Sequence, residues 1–237
     1  MIDTHCHLLP ELDDGTRSLD EALDLAAELV SAGVTEVVCT PHRSRRFPTD
    51  PMVAHERLTQ MQAALQRATV DLALHLSAEL SPAVALSLEV PALHELAVGG
   101  RYVLVELEPA TPASAVGTIF ERLHNCELVP IFAHPERSRS VMHDVGELVA
   151  VREAGALVQV VASSLAGAWG RSVERGAVSL VKAGRVDLLG SDAHRPGGTS
   201  RRLRDVLSML TERLGTDAVH RLTIDVPRAV LAGSRPA

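Results

Sequence analysis

Short apolar, β-branched runs recur along the chain and alternate with longer stretches in which apolar positions return every three or four residues. The short runs have the period of strands and the longer ones that of amphipathic helices. Strands are predicted at 2–7, 35–40, 71–79, 101–107, 128–133, 156–162 and 186–191. Helices are predicted near 18–33, 55–69, 91–97, 113–125, 145–154, 171–183 and 200–214. The first helix carries its own boundaries: Ser18 stands as N-cap, Glu21 three residues on completes a capping box, and Gly33 ends it. Repeated strand-helix alternation builds a parallel sheet, which either closes as a barrel or stays open and doubly wound. No glycine-rich phosphate loop follows any strand, so a nucleotide site does not organise the fold. The turn-rich windows at 43–53, 108–114 and 195–200 are too short to be interdomain linkers, and residues 1–237 are read as one domain.

Composition narrows the partners. Hydrophobic residues make up 46% of the chain and aromatics only 2%, which predicts a core of Val, Leu and Ala suited to layered strands and Ala-rich helices. The net charge is −7 and Lys182 is the sole lysine, so no broad basic surface exists to collect a nucleic-acid backbone. Arginine clusters at 43–46 and 201–204 are local exceptions, suited to a small anion or to solvent. No apolar run reaches the length of about 18 residues that a membrane span needs, and the N-terminus lacks the signature of a signal peptide. The protein is therefore expected in the cytoplasm. Cys6, Cys39 and Cys126 are an odd set without C-x-x-C spacing, which points to reduced thiols.

Metal-ligand residue types gather at the strand ends. Strand one ends in His5-Cys6-His7, strand two runs into His42, strand three ends at Glu79, strand four holds Glu106, strand five leads to His134, and strand seven ends in Asp192-Ala193-His194. Side chains alternate across a strand, so His5 and His7 share a face that Cys6 avoids, and Asp192 and His194 repeat the arrangement. In a parallel barrel all these ends lie on one rim. A lone strand-end histidine is ordinarily structural, but buried carboxylates are costly unless paired or bound to metal, and here they accompany five imidazoles. Eight such groups exceed the roughly four to six donors of one ion, so two or three divalent metals follow, with Zn, Mn and Fe all compatible. Such a cluster generates hydroxide near neutral pH and clamps the oxygens of an in-line displacement, which is the chemistry of phosphoester hydrolysis. The histidines at 55, 75, 94, 124, 143 and 220 fall in helices or mid-strand and are read as structural.

The blocks IDTHCHLLPELDDG (2–15), TPH (40–42), AEL (78–80), YVLVELE (102–108), AHPER (133–137), QVVASSLAGAWG (159–170) and SDAH (191–194) run in order through nearly the whole chain. Together they resemble the PHP (polymerase and histidinol phosphatase) superfamily, and within it the bacterial tyrosine-protein phosphatases encoded with capsular and exopolysaccharide synthesis systems. The resemblance implies a distorted seven-stranded (β/α) TIM-like barrel with a trinuclear site, usually of manganese. It places the ligands at His5, His7, Asp14, His42, Glu79, Glu106, His134, Asp192 and His194; Asp14, in a loop, is assigned by resemblance alone. Arg137 of AHPER matches a phosphate-binding arginine. A second family arginine follows SDAH by about five residues, where this chain has Thr199; Arg195, Arg201 and Arg202 are the alternatives, with Arg201 assigned beside Arg137. The implied substrate is a phosphotyrosine protein, such as a tyrosine kinase of polysaccharide export, and an oligomer is compatible. Tyr102, Trp169 and Phe47 are the few aromatics available to meet a phosphotyrosine ring.

Three other readings compete. Cys39 through Arg45 fits the C-x5-R pattern of cysteine-nucleophile phosphatases, although Pro41 lacks an N–H for the phosphate cradle that motif builds. A small-molecule phosphatase, for example of histidinol phosphate, shares fold and metals. A non-catalytic regulator is the third, against which the full ligand set argues.

Overall fold

In the computed structural model, which describes residues 1–236, nine short strands are found among the described residues. They are β1 (Ile2–Cys6), β2 (Glu36–Cys39), β3 (His42–Arg43), β4 (Ala73–Leu76), β5 (Glu79–Leu80), β6 (Tyr102–Glu106), β7 (Val129–Ala133), β8 (Leu157–Val161) and β9 (Leu188–Gly190). All pairings between them are parallel. Instead of one continuous sheet they form two, ordered β1-β2-β4 and β3-β5-β6-β7-β8-β9. The difference from the seven expected strands lies at two interruptions. The second strand ends by Thr40, as expected, but the path resumes past Pro41 as β3, and the expected third strand splits at Ser77-Ala78, so β2 and β3, and β4 and β5, are consecutive pieces of one path. Pro41 supplies no N–H to a ladder, yet its carbonyl still accepts from Glu79 N at 3.1 Å, and Ser77 N still reaches Cys39 O at 2.9 Å. At the other side, His7 N donates to Ala193 O and Asp192 N to His5 O, both at 2.9 Å, tying the chain after β9 to β1.

The two faces of the strands explain both the core and the site. One face, carrying Val37, Val103, Val105, Phe132, Val158, Val160 and Leu189, packs against the surrounding helices in the larger apolar cluster. The other carries Val38, Tyr102, Leu104, Ile131, Ala133, Leu157 and Leu188, and the helix Val226–Leu231 closes it with Val226 and Val230. Burying each Val, Leu, Ile or Phe among them contributes about 1.5–3 kcal/mol relative to leaving it in water. Read toward the C-terminal end, this second face turns polar with the strand period intact: Tyr102 and Leu104 are followed by Glu106, Leu157 by Gln159, and β1 contributes Asp3 and His5. An apolar plug at one end and ionisable groups at the other therefore come from the same alternating row.

The helices begin and end close to the expected places. Leu19–Ser31 is capped by Ser18, which accepts from Glu21 N at 3.2 Å, while the Glu21 carboxylate reaches back one residue further than expected, to Arg17 N at 2.6 Å. Short helices at Pro82–Ser87, Arg139–His143, Ala162–Leu165, Thr216–His220 and Val226–Leu231 were not expected. They have at most two turns, too few for an apolar period to show. No helix among the described residues is long and apolar enough to cross a membrane.

Candidate metal centre

The groups at the C-terminal ends of the strands form three overlapping clusters, in each of which donor atoms lie within 4.8 Å of one another. The innermost is His5, Glu79, His134 and Asp192, all buried. Glu79 Oε1 lies 2.9 Å from His134 Nε2, and His5 Nε2 is 3.2 Å from Glu79 Oε2 and 3.3 Å from Asp192 Oδ1. The outer cluster is His7, Asp14, His42 and His194, with Asp14 Oδ1 3.5 Å from both His42 Nε2 and His194 Nε2. His7 and His194 stack at 3.9 Å. The third cluster, His42, Glu79 and Glu106, joins these through shared residues. All nine side chains expected at the site thus stand together, Asp14 included.

Local backbone aims these groups. His134 follows β7 with φ 36°, and Asp192 follows β9 with φ 51°. Both lie in the left-handed region that disfavours non-glycine residues, at a cost of roughly 1–3 kcal/mol each, which the surrounding packing must offset. At Gly190 a Cβ would sit 2.9 Å from His5 Cβ and 3.0 Å from Gln159 Cδ, so only glycine lets β9 approach β1 and β8 this closely. Gly15 is equally constrained, since a Cβ there would lie 2.4 Å from His7 O.

Several supporting residues were not legible as functional. Asp13 Oδ2 lies 2.7 Å from His7 Nδ1 and accepts from His42 N at 2.8 Å, while Asp13 Oδ1 accepts from Gly15 N at 2.8 Å. Gln159 Oε1 lies 2.8 Å from His5 Nδ1, and the Gln159 amide donates to Thr4 Oγ1 at 2.7 Å. These contacts leave Nε2 of His5 and of His7 facing each other across 3.3 Å, which is the orientation second-layer partners impose on metal-binding imidazoles. The adjacency of Asp13 to Asp14 and the placement of Gln159 on an apolar strand were the available signals. The remaining histidines lie outside the clusters: His75 pairs with Glu36 at 3.0 Å, His220 with Asp225 at 3.0 Å, and His124 stacks on Phe120.

The electrostatics are those of a site that needs a cation. Burial opposes charge on Glu79, Asp192, His5 and His7, but their mutual attraction outweighs it. The two carboxyls are held well below their ordinary range, and both imidazoles are pushed up, His7 most strongly. Asp14 is lowered to about 2, chiefly by His194. His42 is lowered by burial. Glu106 is raised to about 8, first by burial and then by the Glu79 and Glu108 carboxylates. Buried atoms nevertheless remain without a hydrogen-bond partner: Glu79 Oε2, Asp14 Oδ1 and His134 Nδ1. Glu79 Oε2 has His5 Nε2, His42 Nδ1 and His7 Nε2 within 3.1–3.4 Å, none in bonding geometry. Carboxylate oxygens and imidazole nitrogens converging on one space without thiolates fit hard or borderline divalent ions.

Above the clusters opens a cleft of about 480 Å³ lined by Asp14, His42, Glu106, His134, Asp192 and His194 and walled by Arg137, Trp169, Arg195 and Arg202. Arg137 Nη2 donates to Asp192 Oδ2 at 2.5 Å and to Ser163 Oγ at 3.1 Å. Arg201, assigned above to the phosphate, does not line the cleft and is exposed; Arg202 takes that position. Both lie in the helix Thr199–Leu214, where adjacent side chains point about 100° apart, so one residue of phase places one on the cleft and the other off it. Tyr102 is buried at the start of β6, and Phe47 stacks on His42 with centroids 5.7 Å apart without lining the cleft. Cys39 is fully buried in the apolar core, and burial pushes its thiol far up, which removes it as a nucleophile.

The sequence and fold are similar to those of known proteins. The chain is 26% identical over 225 residues to the tyrosine-protein phosphatase YwqE of Bacillus subtilis, covering 94% of this chain and 89% of YwqE. It is 28% identical over 200 residues to CapC of Staphylococcus aureus, covering 82% of this chain and 77% of CapC. A crystal structure reported for YwqE and for CpsB of Streptococcus pneumoniae, described as unique metal-dependent tyrosine phosphatases, superposes with a TM-score of 0.88 at 26% identity, over 100% of this chain and 96% of that one. The family model for capsular polysaccharide synthesis proteins CpsB/CapC matches residues 1–232, and the chain belongs to that family.

Proposed function

We propose that this chain is a metal-dependent phosphomonoester hydrolase acting on phosphotyrosine in proteins, with a tyrosine kinase of polysaccharide export as partner substrate. The observation that carries the reading is the placement of Arg137 on the wall of a cleft whose floor is the three clusters. His5, His7, Asp14, His42, Glu79, Glu106, His134, Asp192 and His194 would hold two or three divalent ions, manganese foremost and zinc or iron as alternatives, since nine donors exceed the roughly four to six of one ion. The strand path is read as a distorted seven-stranded barrel of the PHP type within one domain, its two sheets joined by the hydrogen bonds between β1 and the chain after β9.

Bound divalent metal would supply Lewis acidity toward water and the phosphoryl oxygens. The chain's own residues do the rest. Asp13 and Gln159 fix the rings of His7 and His5. Arg137, always charged and planar, can turn its fork from Asp192 toward two non-bridging oxygens of a bound phosphate. The phenolate of tyrosine, with a conjugate-acid pKa near 10, departs without a strong general acid.

The test is turnover by metal-depleted protein after titration with manganese, zinc or iron, on a phosphotyrosine peptide and on histidinol phosphate. Metal-dependent turnover of the peptide is expected; preference for histidinol phosphate, or turnover that survives chelation, would defeat the reading. Arg137→Ala should leave metal content unchanged and lower kcat/KM roughly 10- to 1000-fold, with Arg137→Lys recovering only part.

A further inference from the structure

We propose that Trp169 is the specificity-determining residue of this cleft, giving it a preference for aryl over alkyl phosphate esters by presenting an aromatic wall beside the phosphate-binding guanidinium. The inference rests on the phosphatase reading above and concerns the part of the substrate beyond phosphorus. Trp169 is the chain's single tryptophan, lines the cleft and is 56% exposed, so part of its surface is open to a bound molecule. The ring is held in place. Its N–H donates to Ser163 Oγ at 3.2 Å, the same oxygen that accepts from Arg137 at 3.1 Å, and Arg137 Cζ lies 4.1 Å from the ring centroid. One hydroxyl and one cation-π contact therefore lock the indole to the guanidinium.

The ester oxygen of an aryl phosphate separates phosphorus from the ring by two bonds. A phosphate gripped by Arg137 would thus carry its aryl group alongside the indole, where an alkyl ester has no π-face to offer. The other aromatic candidates are spent elsewhere: the Tyr102 hydroxyl donates to Ser234 O at 2.7 Å, and Phe47 covers His42.

Because the chain has one tryptophan, its emission reads this contact directly. The metal-loaded protein would be titrated with phenylphosphonate, ethylphosphonate and inorganic phosphate, with occupancy followed by calorimetry. Phenylphosphonate should change the emission saturably; the other two, at equal occupancy, should change it little. Trp169→Ala should weaken phenylphosphonate roughly 3- to 10-fold, the value of one aromatic pair, without weakening inorganic phosphate, and Trp169→Phe should restore most of the loss. With a phosphotyrosine peptide the loss in Trp169→Ala should fall on KM, with kcat within about twofold. Unchanged phenylphosphonate affinity in Trp169→Ala, or an equal loss for inorganic phosphate, would overturn this proposal and leave the phosphatase reading standing. If wild-type protein bound none of the three, both would fall.

Discussion

The inner and outer halves of the centre are built differently. His5, Glu79, His134 and Asp192 are all buried and sit on strands or one or two residues past their ends, whereas Asp14 and His194 lie in loops, His42 on the two-residue β3, and these three keep partial exposure. Burial opposes charge on Glu79, Asp192 and His5, and their mutual attraction outweighs it, so these three belong to the folding energetics of the sheet as much as to the site. The outer groups are arranged upon that foundation. Removing a charge from the inner half should therefore damage fold and function together, and removing one from the outer half should damage function alone.

The strongest test of this contrast is Glu79→Gln. Glu79 belongs to two clusters and faces His5, His7, His42 and His134. Its loss leaves buried imidazoles without their counter-charge, and stability of the metal-free protein should fall by about 3 kcal/mol, in line with breaking a buried ion pair. Turnover should drop by roughly 1000-fold or more, because ligands shared between sites act as a unit. Denaturant melts of chelated protein and metal analysis would check both; a melt unchanged from wild type would erase the distinction between the halves.

Asp14→Asn is the outer counterpart. The Asp14 side chain is 42% exposed, so solvent screens its attraction to His42 and His194 and little stability depends on it. Metal content should fall without vanishing, turnover should fall roughly 10- to 100-fold, and the metal-free melt should shift by less than about 0.5 kcal/mol. A large loss of stability would make the outer half structural as well.

The same contrast explains what was legible in the sequence. What the strands carry follows from their alternation: His5 and His7 face the centre while Cys6 between them is fully buried in the apolar core, and Glu106 and Gln159 extend apolar rows of their own strands. Asp14 obeys no period, since a loop has none, and only the resemblance of its surrounding block identified it. Asp13, beside it, was not singled out, because hydrogen bonds to His7 and to two backbone amides leave no trace in spacing. Between Arg201 and Arg202 spacing does not decide, since one residue of helix phase separates the side chain that lines the cleft from the one that does not. The two-residue strands β3 and β5, beyond Pro41 and Ser77-Ala78, are too short for a period to separate them from the strands they follow.

A smaller effect should appear at the edge between the halves, in the pH dependence of the metal-free protein. Glu106, 21% exposed, is raised from the ordinary 4.5 to about 8. Between those values the folded chain holds a proton that the unfolded chain has released. Its contribution is thus fully present below pH 4.5 and is lost as pH rises through about 8. At about 1.4 kcal/mol per pH unit, Glu106 should remove roughly 2 kcal/mol between pH 6 and pH 8. His5 and His7, also raised, lose stability in the same direction, but they do so equally in Glu106→Gln. The variant's decline should therefore be shallower than wild type by about 2 kcal/mol. Parallel curves would show that the carboxyl is already solvated.

The smallest effect on function is expected at Cys39, which belongs to neither half. It sits on β2 opposite Cys6, fully buried among apolar residues, on the strand face turned away from the clusters. Burial holds its thiol far above the range where thiolate forms, and Pro41, two residues on, removes one of the amides a phosphate cradle would use. Arg45, the other end of the C-x5-R pattern, is exposed. Cys39→Ala should therefore keep kcat/KM within about twofold and full metal content, while the lost sulfur costs about 1 kcal/mol of stability through the small cavity it leaves. Kinetics at saturating metal, beside a denaturant melt, separate the two effects. A variant that folds, loads metal and yet fails to turn over phosphotyrosine peptide would move the chemistry from the clusters to the thiol, and the inner and outer halves would then differ only as parts of a structural site.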